Sequence, residues 1–134
     1  MLIIIFLVAF IFTGSEATCQ NLIGYNCKEI REYMKKNCRQ MNPEKLTNNQ
    51  YKYLKYSDNS ESQTILFFLD NDSICKSVRL ICDTGIRNEK IKEFDSIYKR
   101  SGKNRWLDNR DGVEFFVEMK DEKWTCVISF ESEK

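Results

Sequence analysis

Apolar and polar side chains alternate through Thr64–Cys82, TILFFLDNDSICKSVRLIC, on both sides of a polar break at Asp70-Asn71-Asp72-Ser73. Ile65, Phe67 and Leu69 share one side of an extended chain; Ile74, Val78, Leu80 and Cys82 follow after the break. A period of two predicts a β-hairpin. The pattern returns in Gly112–Phe130, GVEFFVEMKDEKWTCVISF. There Val113, Phe115, Val117 and Met119 share a face, as do Trp124, Cys126, Ile128 and Phe130 beyond a turn at Asp121-Glu122.

Before each hairpin the period lengthens. Cys27, Ile30, Met34, Cys38 and Met41 lie within about 80° of one another on a helical wheel. Lys28, Glu32, Lys35, Lys36 and Arg39 take the wetter side. Asn26 with Glu29 three residues on is a capping-box variant, and Pro43 disfavours helix at Asn42, so a helix is expected over this stretch. Ile86–Arg100 is the second helix, with Ile91, Phe94, Ile97 and Tyr98 on its apolar side and Gly102 just past its end. Tyr51–Tyr56 and Arg105–Leu107 read as further strands, with turns at Ser57–Ser62 and Asn109–Gly112.

Both halves therefore follow one plan. A shift of fifty residues lays Ile65, Phe67 and Leu69 over Phe115, Val117 and Met119, and Val78 and Leu80 over Ile128 and Phe130. The expected fold is α+β: two α-β-β-β units, spanning about 22–82 and 83–134, make a mainly antiparallel sheet of about six strands with both helices on one face. Strand parity then sends Leu66, Phe68, Ile81, Phe116 and Val127 to the opposite face. Five apolar residues where an antiparallel sheet usually meets water are a candidate docking surface for another protein.

The first twelve residues, MLIIIFLVAFIF, are apolar throughout and stop at Thr13-Gly14-Ser15-Glu16. The run is short of the ~18–20 residues of a membrane span. An apolar core followed by small residues is the pattern of a secretory signal peptide. Ser15-x-Ala17 supplies the cleavage site, giving a leader at 1–17 and one domain at 18–134 with no membrane-spanning segment; a cut after Cys19 is the alternative. The expected location is periplasmic or extracellular. A formal net charge of +1 argues against a nucleic-acid partner.

Six cysteines in an exported chain point to disulfides. Cys27 and Cys38 share a helix face but lie about 16 Å apart along the axis, too far to bond. Cys75 and Cys82, on one ideal strand, would be about 23 Å apart on opposite faces. Cys27, Cys38, Cys82 and Cys126 all point to the expected core, so at least one helix-to-sheet bridge among these four is the expectation, with Cys19 and Cys75 left for each other. Buried free thiols acting as small hydrophobes are the other reading.

Chemistry-bearing motifs are scarce. The chain has no histidine, which removes Ser-His-Asp and Cys-His schemes. It has no CxxC pair for zinc and no glycine-rich phosphate loop, so no metal or cofactor is expected. The turn at Asp70–Ser73 is acidic but lacks the glycine and closing glutamate of a calcium loop. Glu114 and Glu118 fall on the outward strand face, where solvated charge is the default.

The runs QNLIGYNCKEIREYMKKN, FFLDNDSICKSVRLICD, YKRSGKNRW and WTCVISF resemble a group of small exported proteins of Bacteroidetes-type bacteria that carry no assigned activity. In plan, the tandem units are similar to β-lactamase-inhibitor-protein-like domains and small outer-membrane-assembly lipoproteins. That resemblance implies protein binding by analogy. The leading expectation is a non-catalytic, exported protein-binding domain. The alternative is a carrier of a small hydrophobic ligand or lipid, with a cavity lined by Phe67, Phe115, Trp124 and Met34.

Overall fold

The structure, a computed structural model, describes residues 20–44 and 52–132. Helix α1 (Cys27–Asn37) leads into strands β1 (Met41–Pro43), β2 (Tyr53–Asp58), β3 (Gln63–Leu69) and β4 (Cys75–Asp83). A 3-10 turn at Thr84–Ile86 starts the second half: α2 (Arg87–Ile97), β5 (Lys99–Gly102), β6 (Arg105–Arg110), β7 (Val113–Asp121) and β8 (Thr125–Ser132). All eight strands join one open sheet in the order β1-β2-β3-β4-β8-β7-β6-β5. Every pairing is antiparallel.

The α+β class and the two helices match expectation; the strand count does not. The two extra strands are both edges, and both come from residues read as helix ends. Helix α1 stops at Asn37 because Cys38 leaves helical geometry (φ −132°, ψ 54°). Met41 then pairs with Asp58 and Pro43 with Tyr56. Proline is acceptable there because an edge strand leaves one side of its backbone unpaired. In the second half Tyr98 is already extended, and Lys99 pairs with Leu107. Both edges are short, and β5 carries Lys99 and Arg100, features that discourage pairing with another chain.

The core lies between the helices and one sheet face. Ile30 and Met34 descend from α1 and Phe94 from α2 onto Ile65, Phe67, Val78, Leu80, Trp106, Val117, Ile128 and Phe130. Phe94 packs edge-on against Trp106, with ring centroids 5.2 Å apart, and against Phe130 at 6.1 Å. Such contacts add to the area they bury. Trp106 is completely buried, and its indole N–H is satisfied by the Asp95 carboxylate at 2.9 Å.

Parity fails at three places. Trp124 was expected inside with Cys126, but it stands in the turn before β8 and is 75% exposed. Val113, at the end of the β6–β7 pairing where β7 begins, is 50% exposed. Cys75 and Cys82 do not oppose each other. The register slips between Phe68 and Leu69, so that Leu69 pairs with Cys75. The residue this inserts returns Cys75 to the buried side.

The segment before α1 is part of the fold. Gln20, Asn21, Leu22 and Ile23 are all buried. Arg110 donates to the carbonyls of Asn21 (2.8 Å) and Ile23, and its guanidinium lies over the Phe115 ring. Gly24, at φ +93°, turns the chain here, a backbone that side-chain-bearing residues rarely adopt.

Candidate functional site

A concavity lies where α1 runs beside the β1–β2 edge. Asn26 caps the helix: its side chain accepts from the Glu29 N–H at 2.8 Å, and Glu29 accepts from the Asn26 N–H at 3.2 Å. At the other end Cys38 is fully buried and disulfide-bonded. The chain then reverses, with Met41 N–H donating to the Cys38 carbonyl at 3.0 Å. This reversal sets β1 beside the helix and leaves a groove of about 400 Å³ between them.

Met34, Met41, Pro43 and Tyr56 form the apolar wall; Arg31, Lys35 and Arg39 stand around it. Arg31 and Lys35 stand one turn apart on α1, Arg39 follows in the reversal beyond its end, and all three are exposed. None forms an ion pair among the described residues. The nearby Glu44 is already taken, by Lys55 at 3.0 Å and by the Ser57 hydroxyl at 3.1 Å. Burial pushes the Tyr56 phenol above its ordinary value; the Arg31 charge works against that shift and Cys27 adds to it.

The five residues expected on the outer face are all on the helix-free side. Phe68 faces Tyr53 and Ser77, Leu66 faces Lys55 and Arg79, and Thr64 faces Ile81, which faces Val127. Phe116 lies between Leu107 and Glu131. Ile81 and Val127 are direct partners, while Phe116 lies two same-face steps along the β7–β8 register from Val127. Arg79 lies over the Phe68 ring at 5.7 Å, and Tyr53 packs beside it at 6.2 Å. Of the five, only Phe116 is largely exposed, at 43%, beside a shallow cleft of about 160 Å³ lined also by Glu118, Lys120, Ser129 and Glu131.

The carrier cavity expected from Phe67, Phe115, Trp124 and Met34 is not assembled. Phe67 and Phe115 are buried in the core and Trp124 stands in solvent; only Met34 borders the groove. Arg31, Lys35, Arg39, Pro43 and Tyr56 were missed. A signal was present: cations spaced by four, immediately beside the apolar stripe of α1.

The expected helix-to-sheet disulfide does not form. Cys27, Cys75, Cys82 and Cys126 are free thiols, so Cys38 is bonded to none of them, and the Cys19–Cys75 pairing fails as well. Cys19 itself lies outside the described residues. Cys82 and Cys126 do face each other across the β4–β8 pair. Asp83 N–H points to β3, donating to the Ser62 carbonyl at 2.9 Å, so the Cys82 amide points to β8. In such a hydrogen-bonded pair the Cβ atoms stand toward the wide end of ~4.5–5.5 Å, beyond the ~3.5–4.5 Å that a disulfide needs. Burial pushes the Cys75 and Cys82 thiols up to about 12.

Among the described residues no three His, Cys, Asp or Glu side chains gather as metal ligands. The acidic turn is occupied internally: Asp70 Oδ1 accepts from the N–H groups of Asp72 (2.8 Å) and Ile74 (3.0 Å). No described helix is long and apolar enough to cross a membrane.

Fold and groove together describe an open antiparallel sheet, helix-covered on one face, with a cation-rimmed apolar groove at one edge. No protein-family model, curated protein or solved structure matches the chain.

Proposed function

We propose that this chain is an exported, non-catalytic binding protein that seats a small amphipathic molecule in the groove between α1 and the β1–β2 edge. The observation carrying this reading is the groove itself. Its about 400 Å³ falls at the lower part of the ~300–1,000 Å³ range of small-molecule sites, and its wall is built from Met34, Met41, Pro43 and Tyr56. Methionine suits such a wall because its side chain adapts to an irregular ligand.

The test is fluorescence titration of the purified protein with 8-anilinonaphthalene-1-sulfonate, followed by displacement with decanol or decanoate. One saturable site is expected. Met41→Ser removes part of the wall and should weaken binding about tenfold, while thermal unfolding moves by only a few degrees. Absence of saturable binding would remove the reading.

The helix-free face supports a second reading, docking of another protein, favoured by the exposed Phe116 ring beside its cleft. Phe68→Asp and Phe116→Asp should leave the fold intact and abolish partner capture. Unfolding, or capture that persists, would count against it.

A further inference from the structure

The groove can be assigned a ligand charge, an inference that rests on its being a binding site. We infer that the occupant is a free single-chain organic anion: an apolar tail ending in a carboxylate or sulfate. The tail would lie on Met34, Met41, Pro43 and Tyr56, and the head would sit among Arg31, Lys35 and Arg39.

The argument is one of unmatched charge. Arg31 and Lys35 stand one turn apart on α1, a spacing at which like charges disfavour a helix. The groove lining holds Arg31, Lys35 and Arg39 and no carboxylate. None of the three forms an ion pair among the described residues. The nearby Glu44 is held by Lys55 and Glu29 by the helix cap, while Glu32 on α1 is exposed and outside the groove lining.

The carboxyl end of α1 contributes a partial negative charge, which by itself favours Lys35 and Lys36 in the last turn. That end is worth only roughly half a charge, so a large positive excess is left at the groove. A bare inorganic anion would leave the apolar wall in water. A cationic amphiphile would be repelled, and a neutral one would leave the cations unmatched. A two-chain lipid is too bulky for a groove of about 400 Å³.

Calorimetric titration with decanoate, decanol and decyltrimethylammonium, each below its micellar concentration, separates these cases. Decanoate should bind about tenfold tighter than decanol, an advantage that shrinks with added salt, and the cation should not bind. The triple substitution Arg31→Glu, Lys35→Glu, Arg39→Glu should abolish the preference for decanoate. Lys36→Glu, on the same helix but outside the groove lining, should leave it within about twofold. Should the triple variant fail to fold, Lys35→Gln alone is expected to reduce the preference.

Equal binding of decanoate and decanol would overturn the charge assignment while leaving the groove as a site. No binding of any of the three would remove both. Decanoate affinity unchanged in the triple variant would place the anion elsewhere and overturn the inference. Binding to phosphatidylglycerol vesicles without binding of free decanoate would overturn it in favour of a membrane surface.

Discussion

Asp95 lies on α2 with its carboxylate shared between two neighbours. Arg100 donates to both oxygens, at 2.9 and 3.1 Å, and the buried Trp106 indole donates at 2.9 Å. Arg100 also lies over the Trp106 ring at 5.3 Å. The hydrogen bonds from Arg100, then that from Trp106, hold the Asp95 carboxyl below its usual range. A carboxyl lowered on folding stabilises the native state above its unfolded value of ~3.9, and loses that effect as pH falls through the lower native value. Asp95→Asn should therefore lower the melting temperature at neutral pH, and the gap to the parent should narrow below about pH 4. A gap that stays constant down to strong acid would show that the charge is not what matters. The thiols make a second prediction at this scale. Cys75, Cys82 and Cys126 are buried and their thiols pushed up, so too little thiolate exists near neutrality for reaction. Iodoacetamide at mild alkaline pH should leave these three unmodified in the native protein. In denaturant without reductant, mass spectrometry should find four alkylated cysteines, and six would contradict the bonded Cys38.

Among the elements, α1 shows how much a local signal can carry. Its capping box was legible from Asn26 and Glu29 alone, and it is formed. Replacing Asn26 with Ala leaves the Glu29 N–H without its side-chain acceptor and should cost about 1 kcal/mol, seen as a few degrees in the melting temperature. A neutral substitution would mean that tertiary packing alone holds this end. The hairpins were equally legible, because period-two alternation over Ile65–Leu69 and Phe115–Met119 is the burial pattern itself. Element ends were not. Met41 satisfied the helical stripe and the strand equally well, and only the reversal at Cys38, which depends on tertiary contacts, decides between them. Trp124 misled for a similar reason: a large aromatic on an alternating pattern was read as core, but the pattern begins one residue later. The groove was the least legible feature. Its wall joins α1 to residues of β1 and β2, and β1 was not foreseen.

For the molecule as a whole, the sheet order sets where stability is concentrated. β4 and β8 are each paired on both sides and covered by the helices on one face, whereas β1 and β5 are paired on one side only. Opening free energies should follow that order, since buried amides in central strands open only with the whole molecule. Hydrogen exchange is expected to be slowest for Val78–Cys82 and Cys126–Phe130 and fastest for β1 and β5. Faster exchange in β4 than in β1 would contradict the topology. The groove lies at the weaker margin, a placement that suits the binding role proposed for it.

The junction of β4 with β8 has one more consequence, for the order in which the chain is made. Cys82 must find Cys126, and the strands that meet at this line are separated by the whole of α2, β5, β6 and β7. During synthesis β3 and β4 can pair as soon as they emerge, but β4 then presents a bare row of amides and carbonyls until β8 follows, as does β7. The last strand is thus a keystone, closing two sticky edges in a single step. Chains cut short before Thr125 would leave both open, and clumping of such fragments is the hazard that this architecture builds into its own biogenesis.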